Sequence, residues 1–347
     1  MHLSLIIPLL AFCICAALHM IATRTFGKMG LLDFPERYGL TRERLPYPTG
    51  ILAVITFLGF YCSISSWNTQ VIGVVIGIIL LAIVSFIDDR ASVHPLVRLL
   101  VQAAVAWIIF ATGSRIYTLT NPLLADGILS LDTIDIPTKL FGPLPLLSGI
   151  FTIFWLMLCM NALNWFDGIP GQVSTLSTIG FIVIGVLSLS DRVLQPELAL
   201  IAFILAGISF AGLLFDFPPN KVLMGDTGAM FFGLMLGVLT LYAGGKVATA
   251  FLVLGVPLID VFFVVARRTI KGKNPLKGNN TDEHLHHRLL AKNWSERNVI
   301  FLTAGVGALF GVTALFLSTM EKIVAVLILG VLMLLLSFYS QPQKKTP

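Results

Sequence analysis

VIGVVIGIILLAIVSFI (Val71–Ile87), followed directly by Asp88-Asp89-Arg90, decides how this chain is built. Its 17 residues carry no charge. A helix of ~17–25 apolar residues crosses the ~30 Å of hydrocarbon in a bilayer. The run is continuous rather than alternating, which selects helix over half-buried strand. In lipid, only helices and closed barrels satisfy every backbone hydrogen bond. Comparable runs recur along the 347 residues, and eleven spans are expected near 3–22, 49–67, 71–87, 97–113, 144–160, 172–189, 197–214, 227–243, 247–266, 298–317 and 322–339. The chain is 56% hydrophobic and 12% charged, against about 25% charged in soluble domains. The expectation is an all-α polytopic membrane bundle of about 10–11 transmembrane helices, forming one domain over 1–347.

Charge orients the bundle. The first run has no Lys or Arg before it, while Arg24 and Lys28 follow it. A cleaved secretory signal has the reverse order, so a retained first helix with its N-terminus outside is expected. On that orientation 18 of the 23 Lys and Arg fall in the inner links and C-terminal tail, as the positive-inside rule requires. Arg115, Lys139, Arg192, Lys246 and Lys322 remain outside. The net charge of +5 is thus a topology signal and implies a lipid bilayer partner, not nucleic acid. Two links are long. Residues 114–143 lie outside and carry β-type stretches, Ile116–Leu119 and Ile128–Ile136, around Asn-Pro and Asp-Gly turn signals, pointing to a small exterior hairpin. Residues 267–297 form an inner His/Arg loop opening on Arg267, Arg268, Lys271, Lys273 and Lys277, charge suited to anionic headgroups. Cys13, Cys15, Cys62 and Cys159 have no metal-type spacing and read as packing residues. Gly305, Gly307 and Gly311 lie inside an apolar run and read as helix-packing notches, not a nucleotide loop.

Four polar clusters close these spans, and the charge argument puts all four on the inner face. Asp88-Asp89 ends the third span. It is either a solvated loop start or part of a Mg²⁺ site, since Mg²⁺ takes one or two carboxylates and completes its shell with water and phosphate oxygens. Asn161, Asn164 and Asp167 follow the fifth span at every third residue, which puts them on one helix face. Their amides suit the edges of a base or sugar, or else serve as caps and interhelical glue. Gly168 and Gly171 then allow a close backbone approach. Met224-Gly225-Asp226-Thr227-Gly228 opens the eighth span. An N-cap explains one polar residue there, whereas a carboxylate meeting a metal-bound diphosphate explains the glycines on both sides. His284, His286, His287 and Arg288 lie in the inner loop. No Cys and no HExxH spacing support zinc, and histidines beside Arg288 suit diphosphate and sugar hydroxyls. Asp260, inside the ninth span, is a costly intramembrane carboxylate, read as supporting the site or pairing with Arg267 or Arg268.

Taken in order, the DD pair, NxxNxxDG, MGDTG and HxHHR make the chain resemble the polyprenyl-phosphate N-acetylhexosamine-1-phosphate transferases, from about Leu31 to Leu290. That family joins the undecaprenyl-phosphate GlcNAc-1-phosphate transferases of O-antigen and teichoic-acid synthesis to the phospho-N-acetylmuramoyl-pentapeptide transferases of peptidoglycan synthesis. The resemblance implies Asp88, Asp89 and Asp226 as catalytic residues, with Asp89 and Asp226 on Mg²⁺ (or Mn²⁺). It implies Asn161, Asn164 and Asp167 on the nucleotide side, and His284, His286, His287 and Arg288 on the sugar and diphosphate. It further implies a UDP-sugar donor, a polyprenyl phosphate acceptor, a plasma-membrane location with a cytoplasmic site, and a homodimer. HxHHR is closer to the GlcNAc-1-phosphate branch than to the pentapeptide branch, which stays as the alternative. Where the family reads DGxDGL, this chain has Pro170 and Gln172. Thr49 stands where Arg is expected, and Ala229 where Ser is common.

The implied reaction is attack of the acceptor phosphate on the β-phosphate of the donor, with UMP leaving. A phosphate monoester has its second pKa near ~6, so the acceptor is already largely dianionic. The expected work is therefore metal and phosphate positioning by Asp89 and Asp226, with Asp88 finishing deprotonation in a direct displacement. Arg24, Lys28, Arg37, Arg42, Arg44 and Arg98 are candidates for gripping the lipid phosphate. A transporter is the rival class, but its ligands usually sit at the bilayer midplane in repeats, and no repeat is found here. A CDP-alcohol phosphotransferase would carry a denser run of aspartates.

Overall fold

The computed structural model describes residues 2–38, 41–120, 127–139, 141–243, 247–273 and 283–341. Lys246, Lys277, Lys344, Lys345 and the Asn121-Pro122 turn signal lie outside the described residues. The chain runs α1 (His2–Thr25), α2 (Gly50–Ile64), α3 (Thr69–Ala91), α4 (Pro95–Ala111), four short strands, α5 (Leu146–Phe166), α6 (Gln172–Leu189), α7 (Pro196–Asp216), α8 (Gly225–Tyr242), α9 (Val247–Val253), α10 (Gly255–Ile270), α11 (Leu285–Leu290), α12 (Glu296–Phe316) and α13 (Thr319–Tyr339). Among the described residues, eight helices are long and apolar enough to span a membrane, and α9 with α10 makes a ninth span if the bent pair is one. α2 and α4 are apolar but shorter, at 15 and 17 residues. The polytopic helical bundle is therefore as expected.

Local sequence sets the helix starts. The Asn68 side chain accepts from Val71 N at 2.9 Å to open α3, and Ser295 does the same for Asn298 N at 3.2 Å to open α12. Pro95 and Pro196 stand in the first turn of α4 and α7, where the missing N–H costs nothing.

The core is built around α8, 83% of which is buried, against 22% for α1 and α13. Large apolar side chains of α1, α12 and α13 point outward instead, as a lipid-facing surface requires. Helices in lipid gain little from apolar burial against each other and associate through close packing. Accordingly, a Cβ at Gly233 of α8 would lie 2.6 Å from the Cys159 carbonyl oxygen of α5. The Trp155 indole of α5 donates to Thr240 Oγ1 of α8 at 2.9 Å, satisfying a buried N–H. Gly307 and Gly311 meet α6 and α9 as notches, while Gly305 faces open space. Cys15 and Cys159 are packed inside, Cys62 is half-buried and Cys13 is exposed.

Two expectations change. The ninth span is not one helix: α9 and α10 meet at a bend of 84° around Leu254. Pro257 has no N–H to continue the ladder from α9, and a Leu329 methyl of α13 occupies the space a Cβ on Gly255 would need. The loop over 114–143 holds two antiparallel ladders rather than one hairpin. They pair Thr118–Thr120 (β1) with Ile128–Ser130 (β2), and Asp135–Thr138 (β3) with Gly142–Pro145 (β4). Pro137 faces Pro143 across the second ladder, and two residues without N–H donors keep it short.

Candidate active site at one end of the bundle

α3 ends by delivering Asp88 and Asp89 to the start of α8. Gly225 there has φ +78°, and a Cβ on it would lie 2.8 Å from the Tyr47 ring and 2.9 Å from Asp89 Oδ2. Only glycine allows that approach. Asp89 then caps α8 from another helix. Its Oδ1 accepts from Tyr47 O–H at 2.6 Å and Asp226 N–H at 2.9 Å. Its Oδ2 accepts from Thr227 N–H at 3.0 Å and Thr227 O–H at 2.6 Å. A carboxylate offers about four lone-pair sites, so Asp89 has none left for a cation in this arrangement.

Arg98 joins the clusters. Its guanidinium reaches Asp88 Oδ2 at 2.6 Å, Asp226 Oδ2 at 2.8 Å and Asn164 Oδ1 at 3.2 Å. One fork thus ties α3, α4, α5 and α8 together. Asp88 Oδ1 accepts from Val93 N–H at 2.6 Å, so both of its oxygens are engaged. Asn164 is buried and its amide nitrogen has no hydrogen-bond partner among the described residues. Asn161 sits a turn deeper, donating to Gln102 Oε1 at 2.6 Å and to the Met157 carbonyl at 2.8 Å. Its amide nitrogen therefore serves the α4–α5 contact.

Asp167 ends α5 and is different. Among the described residues no donor reaches its carboxylate. Burial, together with the nearby charges of Asp226, Asp216 and Asp89, pushes it well above the usual carboxylate range. Like charges crowd it without a counter-cation, which is the donor chemistry of a cation site. No three His, Cys, Asp or Glu side chains among the described residues form a ready metal cage. Mg²⁺ needs no such cage when substrate phosphates complete its shell. The residues present therefore fit a divalent ion through Asp226 and Asp167, and not through Asp89.

The histidines close the other side. A Cβ on Gly168 would fall 2.1 Å from His286 Nε2, so the ring lies directly against the backbone after Asp167. His286 is buried, stacks on His284 at 5.7 Å and meets His287 at 4.2 Å. Burial, then His287 and His284, hold its pKa well below the usual imidazole value, so the ring is neutral at pH 7. Neither of its nitrogens has a partner among the described residues. Arg288 turns away, donating to the Ser337 carbonyl and hydroxyl on α13 at 3.2 and 3.3 Å. Burial and Arg267 bring its pKa down to about 10. The guanidinium expected on the diphosphate is thus anchored to α13 through Nη1 and Nη2, while its Nε has no partner among the described residues.

Arg42 and Arg44, expected to grip lipid phosphate, pair with Asp33 at 2.6 Å and Glu36 at 3.1 Å. The departing positions have local duties. Thr49 Oγ1 donates to the Leu223 carbonyl at 3.1 Å, and Gln172 Nε2 to Thr303 at 3.4 Å. Sequence reasoning missed the bridging role of Arg98, the Tyr47 bond and Asp216. Asp216 is buried at the end of α7 and takes a 2.6 Å bond from Ser174, and its Oδ1 has no partner among the described residues. A lone carboxylate at a span end was the available signal.

The fold and site define a polytopic membrane protein whose charged centre lies at one end of its bundle. The chain belongs to glycosyl transferase family 4, whose family model matches residues 71–244. The resemblance carried by the four motifs is thereby borne out. It is 27% identical over 329 residues to the probable undecaprenyl-phosphate N-acetylglucosaminyl 1-phosphate transferase of Bacillus subtilis, covering 92% of this chain and 87% of that one. It is 28% identical over 277 residues to the decaprenyl-phosphate N-acetylglucosaminephosphotransferase of Mycolicibacterium smegmatis, covering 72% of this chain and 64% of the relative. A phospho-N-acetylmuramoyl-pentapeptide-transferase of Staphylococcus saprophyticus is 28% identical over 246 residues, covering 68% and 72%.

Proposed function

We propose that this protein transfers a sugar 1-phosphate, GlcNAc-1-phosphate first among the candidates, from a UDP-sugar to polyprenyl phosphate and releases UMP. The observation that carries the reading is Arg98, which gathers Asp88, Asp226 and Asn164 from three separate motifs into one ion-pair cluster. The positive-inside bias supports a cytoplasmic site in a plasma membrane, where UDP-sugars are available.

The acceptor oxygen attacks the donor's β-phosphorus, the bond from that phosphorus to the bridging oxygen breaks, and UMP carries away the electron pair. Both reactants are anions. Arg98 lowers their repulsion and fixes the orientation of Asp226. Asp226 and Asp167 would hold Mg²⁺ or Mn²⁺, which supplies positive charge to the diphosphate when bound. Asn164 presents a buried amide nitrogen with no partner among the described residues, suited to a nucleotide edge. Every oxygen of the DD pair is already bonded, which favours positioning over a covalent aspartyl-phosphate and speaks against Asp88 as the base. A transporter reading fits less well, since the polar groups gather at one end of the bundle.

The test is UMP release from purified protein with undecaprenyl phosphate and a panel of UDP-sugars. UDP-GlcNAc is expected to react fastest, and excess EDTA to stop the reaction. No UMP from any donor, including UDP-MurNAc-pentapeptide, sinks the transferase reading. Undiminished turnover in EDTA sinks the metal assignment alone.

A further inference from the structure

The mechanism leaves one buried pair unused. Asp260 of α10 and His284, at the start of α11, are 3% and 2% exposed. His284 Nδ1 lies 2.8 Å from Asp260 Oδ2, and Leu285 N–H donates to Asp260 Oδ1 at 3.0 Å. Asp260 does not serve the neighbouring arginines as its sequence position allowed: Arg268 is paired with Glu283, and Arg267 Nε donates to the Phe263 carbonyl. The imidazole is walled by the Trp165 edge at 5.8 Å and by the stacked His286. His284 Nε2 is buried with no partner among the described residues.

Neither member makes sense as packing. A carboxylate within an apolar helix is costly, and so is an orphaned ring nitrogen. Both costs are offset if the pair presents Nε2 to a polar ligand.

We propose that Asp260 is a positioning residue: it keeps a proton on His284 Nδ1, so that Nε2 is the hydrogen-bond acceptor offered to a sugar hydroxyl of the donor. This rests on the transferase reading above. The geometry also dictates what Asp260→Asn does. The fixed Leu285 N–H claims the amide oxygen. The amide NH₂ then faces Nδ1 and turns it into an acceptor, and the ring proton moves to Nε2. The variant is nearly isosteric but reverses the tautomer.

The experiment uses the full chain in lipid nanodiscs and measures UDP-GlcNAc and UMP affinity in wild type, Asp260→Asn, His284→Ala and the double variant. Asp260→Asn is expected to weaken UDP-GlcNAc by about tenfold, the scale of one buried hydrogen bond left unmade, and UMP by less than about twofold. In the His284→Ala background it costs nothing further, since the two act as one unit. Equal loss for both nucleotides, an additive double variant, or unchanged UDP-GlcNAc affinity overturns the proposal. Ring-nitrogen NMR of histidine-labelled wild type needs no variant: His284 protonated only on Nε2 overturns it as well. Wild type that binds UDP-GlcNAc but releases no UMP defeats the transfer reading and leaves this pair standing. Wild type that binds neither nucleotide defeats that reading too, and the NMR measurement then judges the pair by itself.

Discussion

The acidic half of the site and its imidazole half are finished to different degrees. On the α3–α4–α8 side, Asp88, Asp89 and Asp226 are held by Arg98, Tyr47, Thr227 and backbone N–H groups. On the α10–α11 side, both nitrogens of His286 and Nε2 of His284 have no partner among the described residues. Saturated hydrogen bonds make a rigid frame, while unpaired buried donors and acceptors cost free energy that only a ligand can recover. The acidic half is therefore set before substrate arrives. On the proposed function, substrate completes the imidazole half.

The comparison breaks most visibly at Arg98. Arg98→Ala is expected to lower kcat by more than about 1,000-fold, because it removes a transition-state charge and also frees two carboxylates to repel each other. Arg98→Lys is expected to rescue little, since a point charge cannot hold three acceptors in a plane. Near-normal turnover in either folded variant contradicts the frame. Asp226→Asn is expected to lose more than about 100-fold in rate, together with Mg²⁺ dependence.

Asp89→Asn sharpens the contrast between cap and metal ligand. It is expected to lower kcat by more than about 100-fold and to destabilise the fold by about 1–2 kcal/mol through the lost cap of α8. Activity half-saturates at an unchanged Mg²⁺ concentration if Asp89 is a cap. A marked weakening of Mg²⁺ there restores Asp89 to the metal.

Asp167 gives the opposite sign for stability. Its folded pKa lies above the unfolded value of 3.8. Its favourable contribution is thus complete below that pH and lost as pH rises through the folded value. At neutral pH its ionisation opposes folding, so Asp167→Asn is expected to raise the thermal midpoint while lowering activity by about 100-fold. A lower midpoint counts against a repelled carboxylate. The smallest effect belongs to His286, whose folded pKa lies below 6.5. Its neutral ring is compatible with the fold above that pH, and stability drains as pH falls from 6.5 towards the folded value. His286→Gln should narrow the difference in thermal midpoint between pH 7.5 and 5.5. An unchanged difference contradicts the buried neutral ring.

The bundle was legible because lipid leaves the backbone few choices, and a 17-residue uncharged run such as Val71–Ile87 has one solution. The four clusters were legible as span ends. Arg98 was not legible as their centre, because its value depends on the Ser92–His94 turn folding α4 back onto α3. The break at Leu254 was equally hidden: Pro257 hinted at it, but the Leu329 side chain that fills the space beside Gly255 lies on α13, 74 positions along the chain.

Hydropathy and charge count are sums over neighbouring residues, so the order of amino acids alone specified spanning helices, the end at which each polar motif lies and the chemical types gathered there. Which oxygen meets which nitrogen depends on helices far apart in sequence packing within hydrogen-bond reach. Only the folded arrangement could turn Asp89 into a cap, Arg98 into a three-way fork, Arg288 into an anchor and Asp260 into the partner of His284.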